Sequence, residues 1–101
     1  MAQIVLDLNN PVFQQEWFAL EQQEALTVLA TLRKIRQMEW EQLYRDKGLR
    51  WEAIFSRTGP NGQRIYRLRI TQHARAVAYR DGNALRLLAL HAGQDSTYGV
   101  Q

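Results

Sequence analysis

Arginine side chains recur in the most strand-like part of the chain, "RIYRLRITQHARAVAYRDG" at residues 64–82. Side chains alternate between the two faces of a β-strand, so Arg67 and Arg69 share one face with Ile65. From the rise per residue, the two guanidinium groups are about 7 Å apart along the strand, which is close to the spacing of neighbouring phosphates in a nucleic acid strand. This pattern predicts that Arg67 and Arg69 each bind one phosphate.

Five further residues are candidates for the same kind of site. Arg75 opens the next predicted strand and would join the other arginines across a hairpin, on a face that depends on the turn. Lys47 and Arg50 flank a glycine in a loop and either bind phosphate or are simply solvated. His91 ends the last predicted strand and could exchange a proton near neutral pH. Tyr98 lies in a polar tail, where it either stacks on a base or folds back on the sheet.

The charge distribution favours a phosphate-rich partner. The chain has 101 residues and a net charge of +3, but residues 1–32 carry a net −4 with no Lys or Arg, and residues 33–101 carry a net +7. Eleven of the 13 basic residues are arginines, and arginine binds phosphate through planar, bidentate contacts. The alternative, that these charges only solubilise an outer sheet face, remains open.

Several classes of site are not indicated by the sequence. It contains no Gly-rich phosphate loop, HExxH, EF-hand loop or GxSxG motif. With no cysteine and two isolated histidines, we expect neither a bound metal nor a cofactor. The absence of cysteine favours the cytoplasm, and "MAQIVLDLNN" resembles neither a signal peptide nor a membrane span, so no membrane partner is expected.

Hydrophobic periodicity predicts the elements that carry these side chains. "QIVLDL" alternates like a strand, and Asn10 and Pro11 then mark the start of a helix over about residues 11–22. A second helix is predicted in "EALTVLATLRKIRQM", either as a hairpin with the first or as one bent helix. A short helical turn ended by Gly48 follows.

The second half of the chain has the period of two that is typical of strands. Four strands are predicted, in "LRWEAIFSR", "QRIYRLRI", "ARAVAYR" and "NALRLLALH", with a hairpin turn at Asp81–Gly82. We therefore predict an α+β fold over residues 1–101 as a single domain. An N-terminal strand and two-helix unit would pack on one face of an antiparallel sheet of four to five strands, with the other face left free.

The stretch "YRLRITQHARAVAYRDGNALRLLALHAGQDSTYG" resembles the C-terminal half of the RelE/ParE superfamily, the toxins of bacterial type II toxin–antitoxin systems. Members of that superfamily have a Tyr-x-x-Arg-hydrophobic strand, an Arg that opens the next strand, an acidic turn, an apolar strand that ends in His, and a Tyr soon after it. The resemblance covers about residues 47–99, and the preceding strand and helical pair agree with the family fold.

The resemblance implies a ribosome-dependent mRNA endonuclease that represses translation and is neutralised by a cognate antitoxin. In such enzymes the 2′-hydroxyl of one nucleotide attacks the adjoining phosphate without a metal ion. By position, Arg67 and Arg69 match the basic groups of the central strand, and Arg75 matches the phosphate-stabilising arginine. His91 matches a terminal-strand histidine of some members, and Tyr98 matches the tyrosine that stacks on or activates the nucleotide.

Two departures from the family pattern leave other activities open. Some members use a central-strand lysine to transfer a proton, but Arg67 and Arg69 do not lose their protons. The base would then be His91, Tyr98, Glu52 or a group on the ribosome. "AGQDST" also lacks the arginine that often precedes the family tyrosine. The alternatives are a ParE-like inhibitor of DNA gyrase and a non-toxic member that only binds its antitoxin.

Overall fold

A computed structural model describes residues 3–92, in which a short strand and three helices precede four longer strands. The elements are β1 (Val5–Asp7), α1 (Pro11–Phe18), α2 (Gln22–Arg36), α3 (Trp40–Arg45), β2 (Glu52–Thr58), β3 (Arg64–Arg69), β4 (Ala74–Asp81) and β5 (Ala84–Ala92).

The first helix begins where the sequence places its cap. The side chain of Asn10 accepts a hydrogen bond from the Val12 N–H at 2.8 Å, and Pro11 occupies the first turn, as predicted. The first helix ends at Phe18, earlier than predicted, and the second begins at Gln22. The two are therefore separate helices rather than one bent helix.

The strands form a sheet of order β1-β5-β4-β3-β2 within residues 3–92. The pairs β2–β3, β3–β4 and β4–β5 are antiparallel, as their hairpin connections require, and β1 pairs in parallel with β5. No hairpin constrains β1, because almost the whole chain lies between it and β5. The predicted α+β class is confirmed, and the N-terminal strand adds a parallel edge to the sheet.

The main core lies between the helices and one face of the sheet. It combines Phe13, Val28 and Leu32 of the helices with Leu68 and other residues of the strands. The opposite face carries a smaller cluster around Ile65, Val77 and Tyr79, with no helical residue among its members. The alternation predicted for β3 is confirmed, since Leu68 belongs to the first cluster and Ile65 to the second.

An ion-pair network holds the parallel strand in place. Arg86 of β5 bonds to Asp7 of β1 and, at 2.9 Å, to Asp81 at the end of β4. The backbone N–H of Asn9 donates to the Asp7 carboxylate at 2.9 Å. That hydrogen bond, together with the charge of Arg86, lowers the pKa of Asp7 below its ordinary value of 3.8.

We expect Asp7→Asn to lower the melting temperature at pH 7 by about 4 °C, because the network loses its central carboxylate. The stabilisation from Asp7 is fully present above pH 3.8 and is lost as the pH falls through its lowered folded-state pKa. The difference between the variant and the unmodified chain should therefore shrink in acid. Thermal unfolding followed by circular dichroism from pH 7 to pH 2 measures it.

Glu41→Gln is the matched control, because Glu41 is exposed and forms no ion pair within residues 3–92. Its melting temperature should stay within about 2 °C of the unmodified value. If Asp7→Asn lowers the melting temperature by the same amount at every pH from 7 down to 2, the stabilising role of the Asp7 carboxylate is contradicted.

Candidate phosphate-binding site on the sheet

Three candidate residues lie side by side across the sheet. Arg69 of β3 is directly opposite Arg75 of β4, and Arg75 is directly opposite His91 of β5. Directly opposed residues point to the same face, with Cβ atoms about 5 Å apart. We call these three the arginine–histidine row, and it lies on the face that the helices do not cover, since Arg69 shares the face of Ile65.

The short β3–β4 connection determines this register. The backbone N–H groups of Ile70 and Thr71 both donate to the carbonyl oxygen of Ala74, at 3.0 and 3.2 Å. This tight turn sets Arg69 opposite Arg75, because in a hairpin the turn geometry fixes the pairing. The face of Arg75, which the sequence left open, is therefore the face of Arg69.

The row places two positive charges opposite each other without a compensating carboxylate. Like charges at directly opposed positions are destabilising, yet no described acidic residue forms an ion pair with Arg69 or Arg75. The Nε of Arg69 is shielded from solvent and has no hydrogen-bond partner among residues 3–92. Buried donors without partners are rare in folded proteins, so an anion bound here would satisfy the donor and offset the repulsion.

Arg67 lies on the same face but in a different electrostatic environment. It is opposite Glu52 of β2, and its Nη2 lies 3.0 Å from the Glu52 Oε1. The Nη2 of Arg50 lies 3.4 Å from the other carboxylate oxygen. The hydrogen bond from Arg67 and the charge of Arg50 lower the pKa of Glu52 below its ordinary value of 4.5, so Glu52 is a weak base.

The loop candidates lie next to the row. The N–H of Arg69 donates to the carbonyl oxygen of Leu49 at 2.6 Å, which places the turn between α3 and β2 against this end of β3. Lys47 is exposed in that turn, and Arg50 follows it with a left-handed backbone conformation, φ 53°. Residues other than glycine adopt this conformation infrequently. A cleft of about 350 Å³ adjoins the same region and is lined in part by Lys34 and Arg69.

Sequence analysis identified the basic residues of the site but did not predict which acidic side chain pairs with them. Tyr98, Gln94 and Asp95 lie outside the described residues, so their predicted effects stay predictions. Glu52 was considered as a base, whereas in the structure it pairs with Arg67 across the strands. The available signal for that pairing was Glu52 itself, an acidic residue in the predicted strand "LRWEAIFSR" that precedes the arginine-bearing strand "QRIYRLRI".

Neither a metal-binding cluster nor a membrane-spanning helix is found within residues 3–92. Within residues 3–92, no group of three or more His, Cys, Asp or Glu side chains is arranged to hold a metal ion. None of the helices in that range combines the length and apolar character needed to cross a bilayer.

Comparison with known proteins yields one structural likeness. No family model matches the chain. No curated protein matches it either. Among solved structures, it is similar to a copper-bound mutant toxin from Helicobacter pylori, with 18% identity, coverage of 97% of this chain and 99% of that one, and a TM-score of 0.49. At this identity and TM-score, the likeness assigns no family, activity or ligand to the chain.

Because the positive charges of Arg69 and Arg75 are directly opposed, removing one of them should stabilise the free protein. We expect Arg69→Gln to raise the melting temperature of the free protein by about 2 °C at low salt, because it removes the repulsion with Arg75. The gain should disappear in 1 M NaCl, which screens the charges. Calorimetry at both salt concentrations measures the effect.

Arg67→Gln is the matched control, because it removes the same charge two residues away on the same face. It should lower the melting temperature at low salt, since it breaks the ion pair with Glu52. If Arg69→Gln and Arg67→Gln lowered the melting temperature equally, the positive charges of the row would not be uncompensated.

Proposed function

We propose that this protein is a RelE-like toxin, a ribosome-dependent mRNA endonuclease that represses translation in the cytoplasm and is neutralised by a cognate antitoxin. The observation that supports the proposal is the arginine–histidine row, which brings Arg69, Arg75 and His91 together on the sheet face that the helices do not cover. The resemblance of residues 47–99 to the RelE/ParE pattern agrees with these positions.

The row would supply the charge stabilisation and one of the two proton-transfer groups that metal-independent RNA cleavage requires. The 2′-oxygen forms a bond to phosphorus and loses its proton, while the bond from phosphorus to the 5′-oxygen breaks and that oxygen gains a proton. The products are a 2′,3′-cyclic phosphate and a 5′-hydroxyl end. Arg69 and Arg75 would stabilise the charge that develops on the phosphate oxygens, and the imidazole of His91 would transfer a proton.

The proposed mechanism has fewer candidates for the general base than the sequence analysis left open. Glu52 has a lowered pKa and its carboxylate bonds to Arg67 and Arg50, so it is poorly suited to take a proton from a hydroxyl group. In the proposed mechanism the base is His91, Tyr98 or a group on the ribosome. Tyr98 would stack on or activate the nucleotide, as the resemblance implies.

The cognate antitoxin is proposed on the grounds of charge. Residues 33–101 carry a net +7, and an acidic helix or strand laid across the sheet face opposite the helices would neutralise the row and exclude RNA. The antitoxin would therefore be a small acidic protein, and it would compete with mRNA for the same surface.

A second candidate is a family member that binds its antitoxin but cuts RNA weakly or not at all. The ion pairs of Glu52 favour it, because Arg67 and Arg50 already share a carboxylate and have less charge to offer a phosphate. A ParE-like gyrase inhibitor is the remaining alternative from the sequence. It would act through protein contact and would not need His91.

Induced expression in bacterial cells, with mRNA ends mapped with and without translation, tests the proposal. We expect translation-dependent 5′-hydroxyl ends and growth arrest from the unmodified chain. Arg75→Ala should reduce cleavage by about 100-fold, as expected for loss of a charge-stabilising donor. Arg33→Ala, which removes an exposed charge from α2, should cleave like the unmodified chain.

Each other outcome points to a different activity. Altered DNA supercoiling without mRNA cuts would indicate the gyrase inhibitor. Normal growth, no new mRNA ends and co-purification with a small acidic protein would indicate the non-toxic member. Cleavage by Arg75→Ala at the unmodified rate would rule out the row as the catalytic site.

A further inference from the structure

The β3–β4 turn at residues 70–73 is bound to the helical layer by two side chains of α2. The hydroxyl group of Thr71 donates a hydrogen bond to the carboxylate of Glu24, and the hydroxyl group of Thr31 donates to the carbonyl oxygen of Ile70 at 2.7 Å. Thr71 is only 7% exposed and is the one buried polar residue in the described part of the chain. Connecting turns usually face solvent, so this turn is unusually well anchored.

The same threonine also contacts Arg75. The Nη1 of Arg75 donates to the carbonyl oxygens of Thr71 and Ala74, at 3.3 and 3.4 Å. The Thr71 hydroxyl oxygen accepts the N–H of His73 at 3.1 Å, which fixes the conformation of the turn. Thr71 therefore links Glu24, through its side-chain hydroxyl group, to the guanidinium group of Arg75, through its backbone carbonyl.

This arrangement leaves most of the Arg75 donors available. A guanidinium group has five N–H donors, and Nε and Nη2 of Arg75 make no hydrogen bond to any residue within 3–92. Neutral carbonyl oxygens hold one end of the group, and within residues 3–92 no carboxylate forms an ion pair with it. A side chain fixed in this way loses less conformational freedom when it binds an anion.

We propose that Glu24 and Thr71 are positioning residues, and that their hydrogen bond, the Glu24–Thr71 latch, fixes the turn that orients Arg75 toward a phosphate. The inference rests on the proposed function for the identity of the phosphate, which belongs to RNA. Neither residue touches the substrate. Both act through the backbone of the turn and the guanidinium group of Arg75.

The carboxylate of Glu24 is well placed for this role. Glu24 lies in the first turn of α2, where the helix dipole stabilises a negative charge. A hydroxyl group that donates to a carboxylate forms a shorter and stronger hydrogen bond than one between neutral groups. Helix α2 therefore holds the turn more firmly than water would.

Thr71→Val tests the latch, because valine keeps the shape of threonine and removes the hydroxyl group. Its affinity for a short single-stranded RNA with 2′-O-methyl groups, which block cleavage, should fall about tenfold. Thr71→Ser restores the hydroxyl group and should bind within twofold of the unmodified chain. Thr27→Val is the matched control, because the Thr27 hydroxyl donates only within its own helix, to the Gln23 carbonyl at 3.0 Å.

A double-mutant cycle separates positioning from general destabilisation. If Thr71 acts through Arg75, Thr71→Val should cause no further loss of RNA affinity in an Arg75→Ala background. An equal tenfold loss in that background would overturn the proposal. If Thr71→Val does not fold, Glu24→Ala breaks the same hydrogen bond from the helix and replaces it in the cycle.

A second readout does not depend on RNA. The side-chain Nε–Hε signal of Arg75 in nitrogen-15 NMR spectra should be sharp in the unmodified chain and in Thr71→Ser, and averaged by motion in Thr71→Val. An unchanged Arg75 signal in Thr71→Val would overturn the latch even if RNA binds. If the unmodified chain binds no RNA but the signal changes as expected, the proposed function fails and the latch stands.

Discussion

The direct opposition of Arg69 and Arg75 across β3 and β4 is the constraint on which the rest of the structure depends. Two positive charges on neighbouring strands repel each other, and folding alone gains nothing from placing them together. The tight turn at residues 70–73 nevertheless forces this register. Within residues 3–92 the solvent-shielded Nε of Arg69 has no hydrogen-bond partner, so an anion bound there would satisfy this donor.

The surrounding elements hold this arrangement in place. The helices pack on the sheet face opposite the row, and α2 also binds the turn through Thr31 and Glu24. On the row's side, Glu52 pairs with Arg67 and Arg50 but forms no ion pair with Arg69 or Arg75. Within residues 3–92, the two arginines of the row therefore lie directly opposite each other without an ion pair to a carboxylate.

Local sequence patterns predicted those features of the fold that depend only on residues close together in the sequence. The alternation in "QRIYRLRI" placed Leu68 in the core and Arg69 on the other face, and Asn10 with Pro11 placed the start of α1. Features that depend on register could not be predicted. The face of Arg75 follows from the turn hydrogen bonds, and the pairing of β1 with β5 joins distant parts of the chain.

The central claim is that the arginine–histidine row binds a phosphate group. Its most direct test is a nitrogen-15 NMR titration of the arginine side chains with a non-cleavable single-stranded RNA. The account predicts that the Nε–Hε signals of Arg69 and Arg75 shift first and together, ahead of that of Arg67. Shifts confined to arginines of the helices, such as Arg33, with Arg69 and Arg75 unchanged at saturation, would contradict it.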